Sequence, residues 1–156
     1  MVLRLAEVRD IPGMIALLYQ VGGVHHDIRP DIFRSGAIKY TPEDLENLLK
    51  EADKPIFVCD DGGFVAGYCF CQIREYAGST VLTDRKELYI DDLCVDVNRR
   101  GQHIGSILCG HATAYAKEIG CAFLTLNVWR GNDSAMRFYE NAGMSPRSIT
   151  MEKKLC

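Results

Sequence analysis

The residues with the plainest chemical use stand between Val95 and Ser106, in the string V-D-V-N-R-R-G-Q-H-I-G-S. A strand-like run, Glu87 to Val97, leads into it, and a helix-like run, Ile104 to Ile119, follows. A strand that ends in an Arg/Gly-rich turn and then opens a helix can hold phosphate. The helix start offers unpaired backbone N–H groups and the positive end of the helix dipole. Gly101 lets the backbone approach a ligand, and Arg99 and Arg100 add positive charge. The nucleotide-binding strings G-x-x-x-x-G-K-[ST] and G-x-G-x-x-G are both absent. Taken alone, the turn reads equally as an anion cradle and as an Arg-rich surface turn without a ligand.

Two further groups flank it. The preceding strand carries Glu87, Asp91, Asp92 and Asp96. Period-two alternation predicts Ile90, Asp92 and Asp96 on one face and Glu87, Tyr89 and Asp91 on the other. Carboxylates there are useful if a substrate is an amine. An alkyl ammonium, with a pKa near ~10.4 if it resembles lysine, must lose a proton before it attacks a carbonyl, and a carboxylate can attract the cation and take the proton. Pairing with neighbouring Arg or Lys is the plainer alternative. Further on, Asn132 and Tyr139 are seven apart and share one helix face.

The elements that position these groups follow from pattern. Val2 to Val8 alternates like a strand. Asp10 is expected to cap a helix running to about Val21, with Pro12 in its first turn. Val24 to Lys39 reads as a loop. Thr41-Pro42-Glu43-Asp44 opens a second helix carrying Leu45, Leu48 and Leu49. Ile56–Cys59 and Phe64–Tyr76 read as strands joined through Asp60-Asp61-Gly62-Gly63. After the polar stretch Ala77–Lys86 come strand Glu87–Val97, helix Gly105–Ile119 with its stop at Gly120, strand Cys121–Val128, helix Asn132–Ala142 and a last strand Ser148–Leu155. The order β-α-α-β-β-β-α-β-α-β predicts an α/β (α+β) fold. Its central sheet is mixed and mostly antiparallel, with one parallel β-α-β crossover and flanking helices.

Composition narrows the class. The 156 residues suit a single domain over 1–156, and a net charge of −3 gives no general attraction to nucleic acid. No apolar run is long enough to span a membrane and no signal pattern opens the chain, so a cytoplasmic protein without membrane association is expected. The seven cysteines lack metal-ligand spacing and sit mostly in apolar runs, so they read as buried thiols, with neither a metal nor a disulfide framework.

Arg100-Gly101-Gln102-His103-Ile104-Gly105 resembles the R/Q-x-x-G-x-G/A signature of the GNAT superfamily of N-acetyltransferases. The segment Leu124 to Gly143 resembles that family's last motif, a strand followed by an Asn-x-x-A-x-x-F/L-Y helix and a glycine. Tyr89-Ile90-Asp91-Asp92-Leu93-Cys94-Val95 resembles the Y-L-E-D-I/L-Y-V strand of its polyamine-type members. The resemblance covers nearly the whole chain in element order and is motif-specific from Tyr89 to Gly143.

It implies the GNAT fold and an acetyl-CoA-dependent N-acetyltransferase that moves the acetyl group directly to a primary amine of a small cationic molecule. It also implies acetyl-CoA binding by Leu93, Cys94, Val95, Arg99, Arg100, Gly101, Gln102, His103, Ile104, Gly105, Ser106, Asn132, Ala135 and Tyr139. Tyr139 is the implied acid for the leaving thiolate and Asp91 the implied base, with Glu87 second. A backbone N–H near Cys94 or Val95 would polarise the carbonyl. Asp92, His26 and Arg29 are expected at the acceptor. Cys94 has no paired His and is not expected to act as a nucleophile. Acetylation of a protein N-terminus or lysine is the alternative within the class, and a non-catalytic coenzyme A-binding module the alternative outside it. A homodimer is compatible with the resemblance. The departure is His103, where the family keeps glycine.

Overall fold

The paired glycines Gly62 and Gly63 both take positive φ, 63° and 92°, and turn the chain back on itself in two residues. The structure is a computed structural model that describes residues 1–156. The turn joins β2 (Ile56–Asp61) to β3 (Phe64–Tyr76), the centre of a five-stranded sheet. β1 (Val2–Leu5) lies outside β2, and β4 (Arg85–Val95) and β5 (Phe123–Leu126) follow on the other side. The pairs β1–β2, β2–β3 and β3–β4 are antiparallel, and β4–β5 is parallel. The helices are α1 (Ile11–Ile28), α2 (Pro42–Leu48), α3 (Ile104–Glu118) and α4 (Asp133–Asn141). α3 carries the parallel crossover, so the mixed sheet expected from the element order is present.

Alternation along β3 builds two core layers. Val65, Tyr68 and Phe70 pack with Met14, Leu17 and Leu18 of α1 and Leu45 of α2. Ala66, Cys69 and Cys71 face the other way, against Ile104, Leu108 and Ala112 of α3. Cys69 and Cys71 are buried in these layers and serve as small apolar side chains. Gly67 sets the depth of α3. A Cβ there would lie 3.0 Å from both Ile104 Cγ2 and Leu108 Cδ1.

One irregularity shapes the site. Phe70 pairs with Asp92 and Cys71 with Ile90, so Asp91 has no partner on β3. This β-bulge inserts a residue into β4 and shifts the side-chain phase beyond it. Leu88 and Ile90 face α3, whereas Cys94 faces α1. The predicted faces are therefore corrected: Asp92 does not share a face with Ile90.

Three other expectations change. α1 runs to Ile28 rather than Val21, so His25 and His26 are helical. A mid-helix glycine costs only ~1 kcal/mol against alanine, and Gly22 has a packing reason to be there. A Cβ at Gly22 would come 2.6 Å from the Ala37 carbonyl, so glycine lets the following loop lie on α1. Asp10 does not cap α1 with its side chain. It is buried, accepts from the Glu7 N–H at 2.8 Å and pairs with Arg4 at 2.7 Å. The last strand is absent: Ser148–Leu155 has no regular secondary structure, is exposed and lies outside the sheet. Alternation alone does not make a strand when no neighbouring strand completes its hydrogen bonds. Side chains tether this segment instead, Arg147 to Glu87 at 2.7 Å and Glu152 to Arg29.

Candidate active site

The site opens where β4 and β5 part. Their pairing begins at Glu87↔Phe123 and ends at Ile90↔Leu126, while β4 continues to Val95 without a neighbour on that side. Asp96 N–H donates to Ala66 O at 2.9 Å, toward β3. By the two-residue period of the ladder, the backbone groups of Leu93 and Val95 turn to the open side. An extended ligand can hydrogen-bond there as an added strand would.

A cavity of about 440 Å³ occupies the wedge. It brings together Tyr89, Asp91, Asp92 and Leu93 of β4 with Asn132 and Ala135 from the start of α4 and Tyr139 from its last turn. His25, Phe33 and Trp129 form an aromatic wall. His25 stacks on Phe33 at 5.0 Å, and Phe33 meets Trp129 edge-on at 5.0 Å. Burial, then the charge of Lys39, holds the His25 pKa below the ordinary histidine value.

The bulge turns both carboxylates into this cavity, and their environments differ. Asp91 is engaged on both oxygens. Lys39 Nζ lies 2.8 Å from Oδ1, and the Tyr40 hydroxyl donates to Oδ2. Asp92 accepts from the buried Tyr68 hydroxyl at 2.6 Å. Its carboxyl is pushed up to about 6, chiefly by burial, with the Tyr68 hydrogen bond opposing the rise. Burial raises the Tyr139 pKa above the ordinary phenol value, so this side chain holds its proton at neutral pH. Burial also pushes the Cys94 thiol up to about 12, which keeps it a thiol rather than a nucleophilic thiolate.

The turn after β4 has the backbone of an anion cradle. Gly101 and His103 both have positive φ, 83° and 61°. His103 is the N-cap of α3 and makes no side-chain cap bond. By contrast, Thr41 caps α2 and Asn132 caps α4. The first-turn N–H groups of α3 are thus left to a ligand. Gly105 keeps this helix start close to α4, because a Cβ there would lie 3.3 Å from the Phe138 ring. Arg100 is exposed beside the turn. Arg99 is committed elsewhere, to Asp61 and to the face of Phe64 4.8 Å away, and so ties the turn to the β2–β3 hairpin.

A sequence model of the acetyltransferase (GNAT) family matches residues 23–144. This chain belongs to that family. GNAT proteins use acetyl-CoA, and the donor set here suits it: free helix-start N–H groups and Arg100 for the pyrophosphate, and the open edge of β4 for the pantetheine arm. The uncharacterized N-acetyltransferase MJ1207 of Methanocaldococcus jannaschii is 28% identical over 102 residues, 65% of this chain and 44% of that protein. This chain therefore spans less than half the length of that relative. A mutant of the BH1408 protein of Bacillus halodurans, solved by crystallography, superposes with a TM-score of 0.95 at 30% identity, covering 100% of both chains. The aminoglycoside N-acetyltransferase AAC(6')-Iy, solved with CoA, shares the fold at a TM-score of 0.73 and 13% identity, covering 99% of this chain and 100% of that one.

Within this GNAT site the expected residues divide. Tyr139, Asp91, Asp92, Asn132, Ala135 and Leu93 meet in the cavity. Cys94 turns its side chain toward α1, with Sγ 3.6 Å from Leu17 O, so only its backbone can serve the wedge. Glu87 does not reach the cavity. It is buried between Arg85 and Arg147, whose hydrogen bonds outweigh the burial that opposes ionisation and hold its pKa low. His26 does not line the cavity and contacts Phe33 O through Nδ1 at 2.8 Å. Arg29 is likewise outside it, bound to Asp31 and Glu152. Lys39, Tyr40 and Tyr68 were not legible as site residues. Tyr68 had a signal, since a tyrosine in an apolar strand needs a partner for its hydroxyl. Lys39 had none.

His103 is the one non-glycine residue with positive φ, a conformation that costs roughly 1–2 kcal/mol for a side chain with Cβ. His103→Gly is expected to leave the fold intact and acetyl-CoA binding unchanged or tighter, measured by calorimetry. A large loss of affinity would show that the imidazole itself holds the ligand.

Proposed function

We propose that this chain transfers the acetyl group of acetyl-CoA directly to the primary amine of a small cationic molecule. Acetyl-CoA supplies an activated acyl group with a thiolate leaving group. The observation that carries the reading is the bulge at Asp91, which turns two carboxylates into the cavity that also holds Tyr139. Asp91, fixed by Tyr40, attracts the acceptor's ammonium. Asp92 takes its proton, because a carboxylate with a pKa of about 6 is ionised at neutral pH yet more basic than an exposed one. Tyr139 supplies a proton to the departing sulfur. The N–H of Leu93, turned to the open side of β4, stabilises charge on the carbonyl oxygen. The His25–Phe33–Trp129 wall gives a cation aromatic faces to rest against.

An acceptor screen read by free-thiol release tests this. Polyamines, aminoglycosides and short peptides are compared at equal concentration with acetyl-CoA. Cationic small amines are expected to give the fastest release. Faster release with peptides bearing a free N-terminus or lysine would move the acceptor to proteins. Tight coenzyme A binding with no release from any amine would make the chain a binding module.

A further inference from the structure

Lys39 stands at the end of the loop joining α1 to α2, on the rim of the cavity. Its Nζ is 2.8 Å from Asp91 Oδ1 and 3.4 Å from the Asp91 carbonyl oxygen. The same cavity holds Asp92, Asn132 and Tyr139. An alkyl ammonium resting on Asp91 is what the proposed acceptor would be, and the chain already carries one there. The Lys39 side chain is 47% exposed, so its ion pair holds it weakly. Its four-carbon stem lets the amine swing within the cavity.

We propose that Lys39 is an internal acceptor: the protein acetylates its own Lys39 ε-amine and thereby frees Asp91 for an external cation. The inference rests on the acetyl-transfer reading above. The ε-ammonium gives one proton to the Asp92 carboxylate. The nitrogen lone pair forms the N–C bond to the acetyl carbon, the C–S bond breaks and Tyr139 gives a proton to sulfur; the second nitrogen proton, shed as the amide forms, restores the Tyr139 phenol, and the proton on Asp92 leaves to solvent. The products are Nε-acetyl-lysine at position 39 and free coenzyme A. The acetylated side chain is neutral and no longer competes for Asp91, while Tyr40 still orients that carboxylate.

Two readouts test it. The whole protein is incubated briefly with isotope-labelled acetyl-CoA, and its peptides are analysed by mass spectrometry. Lys39 is expected to be labelled well ahead of the exposed Lys50 and Lys117, at a rate per molecule independent of protein concentration. Tyr139→Phe is expected to slow labelling of Lys39 by roughly a hundredfold or more. Spontaneous, uncatalysed labelling of Lys50 and Lys117 by acetyl-CoA sets the background in both proteins. Separately, and without acetyl-CoA, Lys39→Gln is expected to bind spermidine about three- to fivefold more tightly than the parent at low salt. Labelling of Lys39 no faster than of Lys50, in protein that acetylates an added amine, overturns this inference and leaves the proposed function standing. No labelling of Lys39 and no turnover of any amine overturns both.

Discussion

Replacing Tyr139 by phenylalanine is expected to lower kcat for acetyl transfer by roughly a hundredfold to ten-thousandfold, with acetyl-CoA affinity preserved. The ring stays in place: it packs edge-on against Phe138 at 5.0 Å, and phenylalanine keeps that contact. What is lost is a proton. Burial keeps the phenol protonated, so the hydroxyl is a proton source beside the cavity whatever the pH of a neutral assay. Without it the departing thiolate must take a proton from water. Initial rates and a parallel calorimetric titration separate the two effects. A parent-like kcat in the variant would show that Tyr139 is only a packing residue.

Asp92→Asn is expected to divide stability from activity. The carboxyl titrates at 3.8 in its unperturbed state and at about 6 in the fold, the rise being driven by burial. Below about pH 4 it is neutral in both states and carries no penalty. As pH rises through about 6 the fold must accommodate a buried charge, so the stability present at low pH is lost. Asparagine removes that loss and can still accept the Tyr68 hydroxyl bond. The variant should therefore be more stable than the parent at neutral pH, by something on the order of 3 kcal/mol. Its activity should fall about a hundredfold or more, because the proton acceptor is gone. The parent's kcat should rise with pH through about 6 as Asp92 ionises, and the variant should lose that limb. Thermal melts and rate profiles over the same pH range give both answers. A variant that is less stable yet fully active would remove Asp92 from the chemistry.

The gain in stability and loss of function at one residue is the expected signature of a group held in an unfavourable environment for chemical use. Asp91, with both oxygens engaged and only 9% of its side chain exposed, is proposed for the complementary task of holding and orienting charge.

Much of this was readable in the chain, and the failures have physical causes. β3 has the bounds its alternation predicts, and α3 and α4 match to within a residue or so at each end. Their glycines, caps and apolar spacing are local signals. The turn at Arg100–Gly105 and the Asn132–Tyr139 helix are also local, and they led to the family. The bulge at Asp91 was invisible, because period-two reasoning assumes an uninterrupted ladder and a bulge is defined by the partner strand. That single inserted residue decides which acids face the cavity. Glu87 looked like a candidate base because its partner, Arg147, stands 60 residues away on the tail. The tail itself alternates like a strand, yet it has no strand beside it to pair with. Lys39 was not singled out within its loop. It acquires meaning only when Gly22 lets its loop lie on α1 and carries the amine to Asp91.

His103 marks where this chain departs from its family. It accepts the left-handed backbone that the turn requires and makes no cap bond in return. The donors this turn offers are backbone groups, which a side chain at position 103 does not remove.

The central claim is direct transfer to an amine in the wedge between β4 and β5. The measurement that meets it most directly is the initial rate of free-thiol release with both substrates varied, acetyl-CoA and the best amine from the screen. Direct transfer predicts reciprocal plots that intersect, and no acetylated Cys94 in the quenched protein. Parallel plots with an acetyl group on Cys94 would contradict it.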